Sequence, residues 1–197
     1  MDTVDLYTRQ HEHSIHELNR TGRITNKEIY IRLHMRDISD YFIDKYRHFV
    51  RLANEIVAKP PDVDFPIWCS ISKNNCLKPI DKQLVYVLRV PKDEVVYFQS
   101  GKWDYVLNDL YIPKDDEDKE AYLKQIKKLG VKDQFSFISG KYRGLFPDIE
   151  RKIVDSWSRV FEIDEWNDFS VQANIWQIKA EWVRHILRPG DDIFAVD

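Results

Sequence analysis

Polar side chains recur in pairs on three segments that are otherwise rich in strand-forming residues. The pairs are Thr8 with Gln10, Ser70 with Ser72, and Gln172 with Asn174. Because side chains alternate along a strand, the two members of each pair lie on the same face of a sheet. Such faces are either ordinary solvent faces or, where pairs meet, a cleft whose hydroxyls and amides suit the amide and ribose groups of a nucleotide.

None of the three pairs contains a carboxylate. A reaction in such a cleft would need a general base from elsewhere in the chain, for example Glu94, Asp104 or Glu181. The sequence also lacks a Gly-rich phosphate loop, an HExxH helix, a CxxC pair and a GxSxG elbow. The familiar short motifs therefore assign no reaction.

Aromatic residues are abundant, at 13% of the chain. Large rings build hydrophobic cores, and they also line pockets that hold flat ligands. An exposed patch formed by Trp103, Tyr105, Trp166 and Trp182 would indicate a ligand- or protein-binding module in place of an enzyme.

Histidines cluster near the N-terminus, and the only two cysteines are Cys69 and Cys76. On a helix His13 and His16 share a face, but no matching third ligand is evident, so we predict no metal site. Two cysteines without a second pair indicate neither a zinc site nor a disulfide framework, and they fit a reducing compartment.

Charge and length limit the class of protein further. Lys and Arg number 30 against 33 Asp and Glu, a net charge of −3, which argues against sequence-independent nucleic-acid binding. The N-terminal segment lacks the features of a secretory signal, and no apolar run reaches the roughly 20 residues of a membrane span. We therefore expect one cytoplasmic domain, residues 1–197, with no membrane partner.

Hydrophobic periodicity and turn signals predict the elements that carry these residues. Strands are predicted at 5–10, 65–72, 83–90, 95–98, 169–178 and 192–196, and helices at 11–22, 25–58, 100–110, 115–130, 148–161 and 180–187. The helix of 25–58 opens on a capping box of Thr25 and Glu28, carries Ile29 and Leu33 on its apolar stripe, and is expected to break near 37–40.

The order of elements shows no regular βαβ alternation. It predicts an α+β fold in which helices pack around a small central, mostly antiparallel sheet that is either continuous or split. Residues 132–146, which include Gly140 and Gly144, predict an irregular loop.

Several short segments, distributed over nearly the whole chain, resemble those of a known protein family. They read DLYTRQ at the start, FPIW at 65–68, then KWDYVLNDLYIP, DSWSRVF and VQANIWQI. The chain resembles a family of bacterial proteins described only as a domain of unknown function. Its members begin with an LWT-x-Q strand and carry W-x-x-VLN and VQA-x-x-W motifs. This resemblance implies no activity.

The order of the segments also resembles the ADP-ribosyltransferase toxins. In that fold an opening strand begins the NAD site, a middle strand carries hydroxyls, and a late strand carries Gln or Arg two residues before a catalytic Glu. The resemblance implies these roles: Thr8, Arg9 and Gln10 contact NAD, Ser70 and Ser72 lie on the nicotinamide side, and Gln172 and Asn174 hold the reacting ribose.

Asn174 departs from the toxin pattern, because it stands where the catalytic Glu would be. An amide keeps the hydrogen bond but loses the charge that stabilises an oxocarbenium-like transition state. Either the chemistry has moved to another residue, or the chain is an inactive binding relative.

Two functions follow as expectations. The first is an NAD-using ADP-ribosyltransferase-like protein, such as a toxin or phage-defence effector, with NAD as substrate, no metal, and a protein or nucleic-acid acceptor or a cognate antitoxin as partner. The alternative is a non-catalytic ligand- or protein-binding module.

Overall fold

The computed structural model describes residues 2–137 and 142–196. The chain forms two compact units, one of Met1–Phe98 with Glu165–Asp197 and the other of Gln99–Asp164. The loop predicted at 132–146 includes residues 138–141, which lie outside the described residues. None of the helices in the described part of the chain is long and apolar enough to cross a membrane.

Strands and helices alternate irregularly along the chain. The strands are β1 (Thr3–His11), β2 (Arg23–Thr25), β3 (Ile67–Ser70), β4 (Gln83–Pro91), β5 (Val96–Gln99), β6 (Val171–Ile175), β7 (Gln177–Lys179) and β8 (Val183–Leu187). The helices are α1 (Ser14–Thr21), α2 (Glu28–Met35), α3 (Ser39–Ile56), α4 (Ser100–Leu107), α5 (Asp116–Lys128) and α6 (Pro147–Ser156).

A six-stranded sheet in the order β5-β6-β3-β1-β4-β8 is the centre of the first unit. The pairings β1–β3, β1–β4, β3–β6 and β4–β8 are antiparallel, and β2 and β7 form a separate antiparallel pair. The prediction of an α+β fold around a mostly antiparallel sheet is therefore confirmed.

The larger hydrophobic cluster lies on one face of this sheet, and a second buried cluster around Tyr7 and Val85 lies on the other. Members of the larger cluster include Leu6, Tyr86, Leu88, Ile175 and Trp182, each at most 5% exposed. Strand β4 is buried on both faces, with Tyr86 in the larger cluster and Val87 in the second one, which explains why QLVYVLRVP is apolar almost throughout, with little polar alternation. Helix α1 packs Leu18 into the larger cluster. The helix is capped by Gly22, which has a φ of 75° and whose N–H donates a hydrogen bond to the Leu18 carbonyl at 2.8 Å.

Helix α3 packs against the sheet through an aromatic cluster. The ring centroid of Phe49 lies 5.2 Å from that of Trp68 and 5.5 Å from that of Phe98. The break predicted near 37–40 is present as a turn of 3-10 helix at Arg36–Ile38, which separates α2 from α3.

The second unit is built from α4, α5 and α6. Asp115 caps α5 by accepting the N–H of Asp118 at 2.8 Å. Helix α6 continues as a 3-10 helix at Trp157–Phe161, and the indole N–H of Trp157 donates to the Leu110 carbonyl at 3.0 Å.

Two predicted elements at the C-terminal end are wrong. Residues 180–187 form a short 3-10 turn and then β8, because the Val183–Leu187 segment pairs with the buried strand β4. Tertiary pairing thus outweighs a weak helical pattern. The strand predicted at 192–196 is a 3-10 turn at Ile193–Ala195, started by Asp192 accepting the Phe194 N–H at 3.0 Å.

The capping box predicted from Thr25 and Glu28 is also wrong. Thr25 ends β2, and the residue before α2 is Lys27. The Thr25 hydroxyl and N–H both donate to Glu17 Oε1, at 3.4 and 3.3 Å, so this side chain links β2 to α1. The strand predicted at 169–178 is interrupted at Trp176, between β6 and β7.

Candidate functional site

Part of the predicted polar site is brought together on one face of the sheet. Register places Ser70 of β3 opposite Gln172 of β6 and opposite Tyr7 of β1, and it places Trp68 opposite Asn174. Directly opposed residues in an antiparallel pair share a face, and so do residues two apart along one strand. Ser70, Gln172 and Asn174 are therefore neighbours.

Thr8 and Gln10 lie on the other face. Thr8 follows Tyr7 in β1, is paired with Tyr86 in β4, and is 3% exposed. Its hydroxyl donates to the Trp68 carbonyl at 2.8 Å and accepts the Gln10 amide N–H at 2.8 Å. The structure thus does not bring this pair into one cleft with Ser70 and Gln172.

Arg9, Ser70 and Ser72 contact the segment that follows β3. Arg9 Nη1 donates to the Lys78 carbonyl at 3.2 Å, and Ser70 Oγ donates to the Asn75 carbonyl at 3.0 Å. Because β3 ends at Ser70, Ser72 lies beyond the strand, where its hydroxyl accepts the backbone N–H two residues on and caps a short turn. These three side chains hold the 73–78 segment in place.

Asn174 is completely buried. Its Nδ2 donates to the Ile67 carbonyl at 3.4 Å, and its Oδ1 has no hydrogen-bond partner among the described residues. A buried amide oxygen left unpaired costs about 1–3 kcal/mol of folding free energy. Gln172, two residues earlier, is half-buried on the same face.

The carboxylates considered as general bases lie elsewhere. Glu94 Oε1 is 2.9 Å from Lys179 Nζ, which in turn lies 4.6 Å above the Trp182 ring. Glu181 and Asp104 are exposed, and Asp104 belongs to the second unit.

The four aromatic residues considered as a recognition patch do not form one. Trp103 is 8% exposed and Trp182 is 5% exposed, so both are core residues. Trp166 is 57% exposed and contacts the Tyr97 ring at a centroid distance of 5.0 Å.

Thiols and metal-binding side chains give no reactive centre. Burial raises the pKa of the Cys69 thiol well above its ordinary value and raises the pKa of Cys76 to about 11, so both stay protonated at neutral pH. Among residues 2–137 and 142–196 no group of three or more His, Cys, Asp or Glu side chains is placed to hold a metal ion.

Helix α2 has apolar side chains on two sides. Ile31 is 8% exposed and packs with Ile43 and Phe65, while Met35 packs against the same cluster. A second set lies in solvent; it consists of Ile29 at 55%, Tyr30 at 51%, Leu33 at 69% and, in the following turn, Ile38 at 59% exposure. We call these four side chains the α2 face.

A family model for a domain of unknown function, DUF3841, matches residues 5–184. The chain belongs to this family. Comparison with curated proteins found no match, and comparison with solved structures found none either. The family assignment supplies no activity, so any function must be argued from the geometry of the chain.

The α2 face was missed because the sequence prediction placed Ile29 and Leu33 on the buried stripe. The signal that could have revealed it is the pair Ile31 and Met35, which has the same spacing of four on a different side. In α2 the side with Ile31 is buried within the chain, and the side with Ile29 and Leu33 is exposed.

The second unit contains a tight polar and aromatic cluster. The Tyr111 and Tyr122 rings stack at a centroid distance of 4.3 Å, with Lys152 Nζ 5.2 Å from the first ring and 5.6 Å from the second. Burial of Asp118 alone would raise its pKa. Bonds from the Lys114 N–H at 2.9 Å and the Tyr111 hydroxyl at 2.7 Å outweigh that effect, and the pKa of Asp118 is lowered.

A shallow pocket of about 280 Å³ also belongs to the second unit. It is lined by Gln99, Gly101, Lys102, Tyr105, Ile112 and Pro113. The ammonium group of Lys102 is bound by Asp164 at 2.8 Å and by the Glu162 carbonyl at 2.6 Å, so the pocket's cation is already neutralised within the chain.

Proposed function

We propose that this chain is a non-catalytic recognition module that binds a protein partner through the α2 face. The observation that carries the proposal is the exposure of four large apolar side chains within ten residues. Burying apolar surface contributes about 25 cal/mol per Å² before the costs of association are subtracted, and exposed apolar side chains close together in sequence are typical of interaction sites.

The polar residues supply a second argument. Thr8, Gln10, Arg9, Ser70 and Ser72 each make a hydrogen bond within the chain. These bonds fasten strands and the 73–78 segment, so the side chains have a structural role that requires no ligand.

Charged side chains beside the α2 face are engaged with one another. Arg32 Nε is 2.9 Å from Glu28 Oε1, and Arg32 Nη1 is 2.7 Å from Asp40 Oδ1. Arg47 Nη2 is 2.8 Å from the other oxygen of Glu28. The guanidinium groups are therefore already paired, which favours apolar recognition over the binding of a phosphate or another anion.

Site-specific photo-crosslinking tests this proposal. A benzophenone amino acid at position 33 should give a discrete adduct in cells that produce the protein, and the adduct should disappear when Ile29→Glu is added. The same amino acid at position 77 is the matched control, because Leu77 is 59% exposed and distant in sequence. Equal labelling at both positions, or none at position 33, would contradict the proposal.

A second candidate function is NAD-dependent transfer, and one observation favours it. Ser70 and Gln172 stand directly opposite on β3 and β6, both half-buried, on the same face as Asn174. Such a group of neutral hydrogen-bonding side chains suits the ribose and amide of NAD.

A thermal-shift titration with NAD and an assay for released nicotinamide test the second candidate. Transfer predicts that NAD raises the melting temperature and releases nicotinamide, and that Gln172→Ala abolishes both effects. A shift without release indicates a binding relative. The absence of both at millimolar NAD removes this candidate.

A further inference from the structure

We infer that helix α2 is a hinged flap, strained at Arg36 and held closed by ion pairs to α3. When salt weakens these ion pairs, α2 moves away from Ile43 and Phe65, which it covers in the closed state. The inference concerns the movement of α2 and does not depend on what the α2 face binds.

The hinge is the junction between α2 and α3. Arg36 has a φ of 49° and a ψ of −124°, a conformation that residues with a Cβ rarely adopt. Backbone strain of this kind persists only where the surrounding structure holds it, and it recurs in segments that switch between two arrangements. Movement of α2 releases the strain, so the Arg36–Ile38 turn favours opening.

Helix α2 is held by few buried contacts. Ile31 is the only buried side chain among those of α2 that the structure describes, and together with the half-buried Met35 it packs on Ile43 and Phe65. Helix α3 buries side chains along most of its length, as far as Ala53. Elements with few buried apolar contacts open at a lower free energy than the rest of a domain, so α2 opens while α3 stays folded.

Two ion pairs join α2 to α3 and oppose the strain. Arg32 Nη1 of α2 is 2.7 Å from Asp40 Oδ1 of α3, and Arg47 Nη2 of α3 is 2.8 Å from Glu28 Oε2 of α2. The side chains of Asp40 and Arg47 are 85% and 58% exposed. Exposed charges are screened when the Debye length falls from about 10 Å at 0.1 M salt to about 3 Å at 1 M. Salt therefore weakens the closed state.

The N-terminal end of α2 is attached independently of α3. Asn26 Nδ2 donates to the Pro66 carbonyl at 3.1 Å, and the Glu28 N–H donates to Asp64 Oδ2 at 3.1 Å. Both partners belong to the segment before β3, so these bonds hold the start of α2 when its contacts with α3 are lost. The helix therefore pivots at this end while the Arg36–Ile38 turn changes conformation.

Amide hydrogen exchange of the purified chain, measured by NMR at about 0.1 M and about 1 M sodium chloride, tests the inference. The exchange rate of the amides of residues 32–35, relative to those of residues 44–55 in α3, should rise by about tenfold at the higher salt concentration. Unchanged relative rates, or one common rate for α2 and α3 under both conditions, would overturn the inference.

Three variants assign the effect to the hinge and the ion pairs. Glu28→Gln should raise the relative exchange rate at low salt and remove most of its salt dependence, because Glu28 bonds both Arg32 and Arg47. Glu120→Gln is the matched control, since it removes an exposed ion pair with Lys124 in α5, and it should behave as wild type. Arg36→Gly should slow the exchange of α2 by relieving strain in the closed state. Faster exchange in Arg36→Gly would contradict the hinge.

Thiol labelling provides a second test that leaves the hinge and the ion pairs intact. In a Cys76→Ser background, Ile43→Cys should react with the uncharged reagent N-ethylmaleimide faster at high salt, because Ile43 is 1% exposed in the cluster that α2 covers. Ala53→Cys is the matched control; Ala53 is 0% exposed in the same helix and lies outside that cluster, so its labelling should not respond to salt. An equal response at both positions would show that salt loosens α3 as a whole and would overturn the inference.

Discussion

At the scale of single residues, the same side chain can serve a reaction or hold a strand, and its partners decide between the two. Thr8 and Asn174 were both predicted to contact NAD, and both are buried at 3% and 0% exposure. Each makes its hydrogen bond to a backbone carbonyl of β3, from Thr8 to Trp68 and from Asn174 to Ile67.

Thr8→Val tests the structural role of the Thr8 hydroxyl. The change keeps the shape but leaves the Trp68 carbonyl and the Gln10 amide without their partner, so we expect a loss of about 1–2 kcal/mol in the free energy of unfolding. Urea denaturation measures it. Thr3→Val, at the exposed start of the same strand, should change stability by less than about 0.5 kcal/mol, and equal effects of the two substitutions would refute this role.

Asn174 offers a comparison between two replacements. Asn174→Leu removes a buried oxygen that has no hydrogen-bond partner among the described residues, and it also removes the 3.4 Å bond to the Ile67 carbonyl. Because these two effects oppose each other, we expect stability within about 1 kcal/mol of wild type. Asn174→Asp places a carboxylate in the same apolar surroundings and should cost at least about 3 kcal/mol at neutral pH. Thermal unfolding distinguishes them; a stable Asp variant would show that this position is open to water or to a cation.

The alternation of side chains along a strand predicted correctly that Thr8 and Gln10 share a face and that Gln172 and Asn174 share a face. It could not predict which face each pair takes. That depends on the register that sets Tyr7, and not Thr8, opposite Ser70. A shift of one residue moves a whole strand's side chains to the other side, and nothing within a single strand records it.

At the scale of elements, the junction between α2 and α3 carries backbone strain. Arg36 has a φ of 49° and a ψ of −124°, a conformation that only glycine adopts freely. Removing such strain would raise the free energy of unfolding by about 1–3 kcal/mol. A glycine cancels part of this gain, because it gives the unfolded chain more conformational freedom.

Arg36→Gly should therefore raise the free energy of unfolding by up to about 1 kcal/mol. The matched control is Arg51→Gly in the regular helix α3, which should lower it by about 1 kcal/mol. Chemical denaturation of both variants checks the pair. A loss at Arg36 as large as that at Arg51 would show that the junction is not strained.

Helix α5 is joined to the segment before it by Asp118, and this contact should depend on pH. The pKa of Asp118 is lowered from 3.8, so the unfolded chain binds the proton more readily than the folded one. The stabilisation is complete above pH 3.8 and is lost as the pH falls through the lowered pKa.

Asp118→Asn should accordingly reduce the slope of stability against pH below pH 3.8. Denaturation at a series of acidic pH values measures it, with the exposed Asp116→Asn as control. An unchanged slope in Asp118→Asn would mean that other carboxylates account for the acid sensitivity.

Some elements were predictable because local signals and tertiary contacts agree. Strand β4 is rich in Val and Leu and lies between two strands, and α5 has acidic residues first and lysines last, in agreement with its dipole. Strand β8 was not predictable, since the segment at 180–187 gains its strand pairing only from β4, about a hundred residues earlier in the chain.

At the scale of the whole molecule, composition limited the class of protein but did not identify its function. A net charge of −3 excluded a broadly basic surface, and the order of segments predicted an α+β fold. The sequence shows that α2 has two apolar sides, but it does not say that Ile31 and Met35 are on the side that α3 and Phe65 cover. Burial is a property of the assembled chain.

Backbone amide NMR of the labelled protein tests the central claim most directly, because one set of spectra reports on both candidate surfaces. We predict that an unlabelled lysate of cells that produce the protein broadens the amide signals of residues 28–38 and that NAD moves none. The contradicting result is a spectrum that the lysate leaves unchanged and in which NAD shifts the amides around Ser70 and Gln172. In that case recognition through α2 would be wrong, and the sheet face at β3 and β6 would be the functional site.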